Sequence, residues 1–155
     1  MKYTCEIKIN KPLDKVIELF DNPDNMLKWM LDLQSFEHIS GDPGQAGAKS
    51  KLRFKTGKRE FEMTETVTVR NLPEEFSGTY EAPGGTNTVR NRFIAVNGKT
   101  TKWVSENEFH MTSFMMKLMA FFMPGAFKKQ SMKYLQAFKE FAETEEPGAS
   151  MEANA

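Results

Sequence analysis

Residues 114–123, FMMKLMAFFM, constrain the fold more than any other stretch. They are apolar nearly all round, with Lys117 the only charge. A helix with a solvated face carries more polar residues than this, and crossing a bilayer takes about 20 apolar residues. The segment therefore needs a cover, and the strands before it are the expected one. After Pro124-Gly125 the pattern changes to a long amphipathic helix over residues 126–143. Phe127, Ser131, Tyr134, Leu135, Phe138, Phe141 and Ala142 recur at three- and four-residue steps and form one stripe. Lys128, Lys129, Lys133, Lys139 and Glu140 occupy much of the remaining surface. Pro124 removes a backbone donor and crowds the preceding turn, and Gly125 relaxes the chain, so a break is expected between the two segments. A Met-rich segment before such a break suits a lid that repacks around different guests. Residues 114–123 are expected to be more mobile than the long helix, together with the loop at residues 42–47.

The cover is legible upstream as alternation. Residues 3–9 read as a strand with Tyr3, Cys5, Ile7 and Ile9 on one face. Lys11-Pro12 ends it and opens a helix over Leu13–Phe20, with Asn10 or Lys11 in the cap region. Asp21-Asn22-Pro23 breaks that helix, and a second short one follows over residues 24–30, carrying Met26, Leu27, Trp29 and Met30. Further strands are expected at residues 33–40, 48–56, 59–69, 75–82, 87–96 and 100–110. A Gly57-Lys58 turn of type II′ pairs Thr56 with Arg59. That register sets Phe54 against Phe61 and Leu52 against Met63 on one face, and Lys55 against Glu60 and Arg53 against Glu62 on the other. The acidic partners make the basic strand a solvated face, not an anion patch. Phe61, Met63, Glu65, Val67 and Val69 share the inner face of their strand. On the next, Phe76, Gly78, Tyr80 and Ala82 do so. At Asn97-Gly98 a two-residue loop would set Phe93 against Lys102, so a three-residue loop with a left-handed, bulged Gly98 is expected to restore the phase. Val89, Asn91 and Phe93 then share a face with Thr101, Trp103, Ser105, Asn107 and Phe109.

The chain of 155 residues reads as one α+β domain over residues 1–143, with 144–155 a disordered tail. Basic and acidic residues balance at 21 each, which gives no electrostatic footprint for nucleic acid. A single cysteine, Cys5, excludes an intrachain disulfide. With no signal peptide pattern and no long apolar span, the expected compartment is the cytoplasm.

One strand, two short helices, six consecutive strands and a long C-terminal helix is an order that resembles the START-like helix-grip (SRPBCC) superfamily. Within it, bacterial polyketide cyclase/dehydrase-like proteins are nearest. The resemblance covers about residues 2–143. It rests on the strand-to-Pro12 helix opening, on PDNMLKWM with its Trp29, on the loop at residues 40–47, and on Phe93 followed by Asn97-Gly98 and Thr101. It implies a seven-stranded curved antiparallel sheet wrapped around the long helix, with an apolar ligand between them. The superfamily has no universal catalytic residues, so none is carried over.

The residues reach a compatible reading. An interior lined by Phe54, Phe61, Met63, Trp103, Phe109, Met115, Met119, Phe122 and Phe127 has the composition of an apolar ligand site, and equally of a close-packed core. Polar residues on the same face sharpen the choice. Ser50 faces Glu65, Glu65 can face Tyr80, Tyr80 can face Asn91, and Asn91 lies near Trp103 or Ser105. A carboxylate in such a row must be hydrogen-bonded, solvated or protonated. The row could orient a ligand's polar end or form an internal network.

The expected function is binding of a small apolar or amphipathic molecule, such as a lipid, an isoprenoid or an aromatic metabolite, without cofactor or metal. One alternative is a cyclase/dehydratase-type enzyme with Glu65 as base and Tyr80 as proton donor. Another is a membrane-surface or partner-binding module through residues 114–127, with Lys117, Lys128 and Lys129 at its rim. The chain is expected to be a monomer or a homodimer. His38 and His110 lack a third ligand at metal spacing, Cys5 has no nearby basic motif and reads as a small strand residue, Ser131 sits on no nucleophile elbow, and residues 41–47 lack Walker spacing.

Overall fold

The structure is a computed structural model, and it describes residues 1–144. Alternating sequence gives seven strands: β1 (Lys2–Ile9), β2 (Leu33–Ser40), β3 (Lys49–Thr56), β4 (Arg59–Asn71), β5 (Glu75–Ala82), β6 (Gly85–Asn97) and β7 (Thr100–Met111). They form one antiparallel sheet in the order β1-β7-β6-β5-β4-β3-β2. Helices α1 (Leu13–Phe20) and α2 (Pro23–Trp29) link the first two strands, and α3 (Phe114–Phe122) and α4 (Ala126–Thr144) follow the last. The residues at 145–155, assigned from sequence to a tail, lie outside the described residues.

The β3–β4 hairpin has the register that its turn dictates, including Phe54 opposite Phe61, Leu52 opposite Met63 and Ser50 opposite Glu65. Gly57 has φ of 64° and Lys58 does not share that region, as a type II′ turn requires. On the outer side Arg53 pairs with Glu62 at 3.1 Å.

Elsewhere the turns differ from expectation. The β6–β7 connection is a two-residue turn, Gly98-Lys99, with Asn97 opposite Thr100. Gly98 is not left-handed; the Asn97 side chain takes the Lys99 N–H at 2.8 Å instead. The missing residue of phase comes from a bulge at Val96, inside β6, which restores Phe93 opposite Trp103. The β5–β6 turn is also two residues, Pro83-Gly84, so Gly85 belongs to β6 and not to the loop. Pro83 followed by Gly84 at φ 98° fits a type II turn. A second bulge, at Thr68, flips the end of β4. Val69, expected inside, is exposed, and Arg70 points in its place.

Pro12 itself is the N-cap of α1, where Asn10 or Lys11 was expected. The Lys11 carbonyl instead accepts from the buried Thr101 hydroxyl at 2.9 Å. Pro23 starts α2 and Asn22 caps it. As predicted, Pro124-Gly125 separates α3 from α4. The stripe of α4 buries Leu135, Phe138 and Ala142, and Met132, outside the predicted stripe, also packs on the core. Polar contacts fix α4 along β1: Tyr3 to Ser131 at 2.6 Å, Lys139 to the Lys8 carbonyl at 2.6 Å, and the Asn10 N–H to Glu143 at 2.8 Å.

The core gathers between α1, α2, the C-terminal half of α4 and strands β1, β6 and β7. Phe20 is its hub, with ring centroids of Trp29, Phe93, Trp103 and Phe138 within 6.4 Å. A second patch, Leu33, Leu52 and Phe54, lies toward the other sheet edge. Between the two is open space.

Candidate functional site

Strand period and register place the site. Ser50 on β3 opposes Glu65 on β4, Glu65 opposes Tyr80 on β5, and Tyr80 opposes Asn87 on β6. Tyr80 was expected opposite Asn91; the Pro83-Gly84 turn is tighter than predicted, and Asn91 falls opposite Phe76. On β7, Ser105 opposes Asn91 and Trp103 opposes Phe93. All these inner residues except Phe93, which is packed in the core, line one cavity of about 1220 Å³ beneath α4. That exceeds the roughly 300–1,000 Å³ of most small-molecule sites.

Of the residues predicted to line a site, Phe54, Phe61, Met63, Glu65, Tyr80, Asn91, Trp103, Ser105, Phe109, Met119 and Phe127 do line this cavity. Met115 and Phe122 do not. Both sit on the outer side of α3, because the inner sheet face is taken by α4 and the cavity. The expectation that the strands cover α3 fails for the same reason: no residue of α3 is buried. Only Met116 and Met119 of this helix reach the cavity wall.

Glu65 is 7 % exposed. Burial pushes its carboxyl above the ordinary range, and a hydrogen bond from Tyr80 partly offsets this. The Tyr80 hydroxyl is pushed well up by burial and by the Glu65 charge, so it stays a proton donor at neutral pH. Deeper in, the Trp103 indole N–H donates to Asn91 Oδ1 at 2.9 Å. An indole N–H can only donate, which fixes how the Asn91 amide points. Asn107 bridges Ser105 and Asn87: its amide donates to the Ser105 carbonyl at 3.2 Å and accepts from Asn87 at 3.2 Å. One end of the polar row is thus an internal hydrogen-bond network that leaves Asn87 Oδ1 buried without a partner. The Glu65–Tyr80 pair is the part with titratable chemistry.

One feature of the wall had no sequence signal. Arg70 holds Asp21 through both carboxylate oxygens, at 2.7 and 2.5 Å, and donates to the Gly44 carbonyl at 3.2 Å. This ties the end of α1 to β4 and to the glycine loop at residues 41–47. All three residues line the cavity. The bulge at Thr68 turns Arg70 inward, and neither Gly nor Pro marks it in the sequence.

No protein-family model and no curated protein matches the sequence. Solved structures do match in shape. The Zhui aromatase/cyclase of a Streptomyces species aligns with a TM-score of 0.74 at 12% identity, over 92% of this chain and 93% of its own. A START superfamily protein from Mycobacterium smegmatis aligns with a TM-score of 0.74 at 7% identity, over 92% and 97%. Norcoclaurine synthase from Thalictrum flavum, in complex with dopamine and hydroxybenzaldehyde, gives a TM-score of 0.70 at 15% identity, over 95% and 89%. The chain has the START-like helix-grip fold. A grip needs a sheet that curves around its helix. Here the bulges at Thr68 and Val96 supply local bends, and α4 is the gripped element. Among the described residues no helix is long and apolar enough to cross a membrane.

Proposed function

We propose that this chain binds a small apolar or amphipathic molecule in the cavity between sheet and α4. The observation that carries the reading is a cavity of about 1220 Å³ whose aromatic and methionine walls surround the Glu65–Tyr80 pair. Apolar walls would supply affinity through buried area, and the pair would orient a hydroxyl, carbonyl or amine. Grip-fold neighbours named for aromatic substrates and cyclisation support a ligand of this size and character.

Native mass spectrometry of the protein purified from its own host tests it. A mass increment released by denaturation is expected. Both tryptophans of the chain, Trp29 and Trp103, line the cavity, so the same ligand should quench or shift their emission on re-addition. A bare mass together with indifferent tryptophan emission across a panel of fatty acids, isoprenols and aromatic ketones would remove the proposal.

A second reading, catalysis of cyclase/dehydratase type, is supported by the Glu65–Tyr80 pair alone. A carboxyl whose pKa is raised by burial, beside a phenol, supplies a base-and-acid couple for an enolisable ketone. Deuterium exchange at the α-carbon of a bound ketone should then be catalysed, and lost in Glu65→Gln and Tyr80→Phe. Exchange unchanged in both variants leaves binding alone.

A further inference from the structure

Helix α3 presents an apolar surface that nothing among the described residues covers. Phe114, Met115, Phe121 and Phe122 are 74, 68, 79 and 71 % exposed, and Met123 follows them. The helix is nevertheless held in place. The Thr112 and Ser113 N–H groups donate to the Gly84 carbonyl at 2.9 and 3.2 Å. Met116 packs down on Gly84, where an added side chain would meet its sulfur at 2.6 Å. The outer face is therefore fixed outward, not a segment that has failed to dock. Soluble monomers rarely expose contiguous apolar surface of this kind without using it.

The charge around it is one-sided. From Phe109 to Lys139 the chain has five lysines and neither Asp nor Glu, although the whole chain is neutral. Lys117 sits on α3, and Lys128, Lys129 and Lys133 sit on the first turns of α4, all four exposed. None of these four forms an ion pair among the described residues. A second copy of the chain docked face to face would bring two such lysine rims together, which is repulsive. An anionic bilayer is the complement of both features: headgroup charge for the lysines, and an acyl boundary for the Phe and Met side chains.

We propose that α3, with the lysine rim, docks the protein onto anionic membrane surfaces. Met116 and Met119 on the inner side of the same helix, and Lys133 on its rim, line the cavity. Docking therefore sets the cavity against the lipid boundary, where an amphipathic guest is exchanged. The docking itself does not depend on the cavity being a ligand site. The occupant of the cavity is a separate measurement.

The test is flotation of the full chain with vesicles of phosphatidylcholine alone or containing about a third phosphatidylglycerol, at low and high salt. Binding to the anionic vesicles is expected, weakened by salt and absent on neutral ones. Each lysine near an anionic surface contributes about fivefold in affinity, so K128E/K129E should lose at least about 25-fold. Phe121→Asp/Phe122→Asp should abolish binding while its circular dichroism, thermal midpoint and tryptophan response to cavity ligands stay at wild-type values. No flotation with anionic vesicles at low salt overturns the proposal. So does concentration-dependent self-association by sedimentation velocity that the Phe pair variant abolishes, because a second copy is then the occupant. Salt-insensitive binding equal on neutral vesicles also overturns it. Failure of the ligand experiments with flotation intact would remove the binding function and leave the docking.

Discussion

Phe138 on α4 and Phe121 on α3 are the same residue type in consecutive helices, with opposite surroundings. Phe138 is fully buried among the rings of Trp29, Trp103, Phe20 and Phe141. Phe121 touches one ring, that of Phe122 on its own helix. The two helices carry three Phe residues each, and α3 is the more apolar of the pair. Hydrophobicity therefore did not decide which was buried. The inner sheet face has room for one helix and a cavity, and α4 takes it: its one apolar stripe packs Leu135, Phe138 and Ala142 on the core while its polar side hydrogen-bonds to Tyr3, Lys8 and Asn10 of the first strand and its exit. α3 leaves β7 at the sheet rim, tethered at Gly84, with its back to the cavity and its face to the outside.

The contrast breaks most visibly at its buried end. Phe138→Ala should cost about 3–5 kcal/mol, a fall of roughly 6–20 °C in thermal midpoint at this chain length. Denaturant unfolding should show the loss in midpoint at constant slope. A loss below 1 kcal/mol would mean that the aromatic cluster is loosely packed. Trp103→Phe strips Asn91 Oδ1 of its buried donor and should cost about 1–3 kcal/mol, read by the same unfolding curves. Asp21→Asn weakens a pair whose side chains are both partly exposed, so stability should drop by no more than about 1 kcal/mol. Its clearer readout is hydrogen exchange, faster at residues 41–47 and unchanged in α3. Exchange that speeds up in α3 as well would show the two ends of the cavity to be coupled.

The Glu65→Gln variant sharpens the picture through pH. The folded-state pKa of Glu65 is raised above its unfolded value. Its burial therefore favours folding below the unfolded pKa, near about 4.3, and that contribution is lost as pH rises through the folded pKa. Stability of Glu65→Gln relative to wild type should climb across that window and then level off. A flat difference would show Glu65 to be solvated through the cavity. At the other end of the scale, Phe121→Ser should change stability by less than about 0.5 kcal/mol. Backbone amides of α3 should exchange faster than those of residues 134–141. Equal, strong protection of both helices would leave the Pro124-Gly125 break as a plain structural joint.

Local rules made much of this protein legible from its sequence. Period-two alternation located the strands, and a Gly-Lys turn set the β3–β4 register down to Ser50 opposite Glu65, because a two-residue hairpin has no freedom in phase. Pro124-Gly125 marked the joint between helices, and helical spacing marked Phe138 and Leu135 as core. The order of elements was enough to expect the grip, and with it a sheet-and-helix interior rich in Phe, Met and a polar row. What the sequence alone could not settle depends on contacts between distant segments. Bulges at Val96 and Thr68 carry no Gly or Pro, so the inward turn of Arg70 and its pairing with Asp21 emerge only when β4, α1 and the glycine loop meet. The exposure of α3 is the same kind of decision. An apolar helix states that it wants a partner, but the inner face it would have taken is already shared by α4 and the cavity, and only the assembled sheet makes that competition visible.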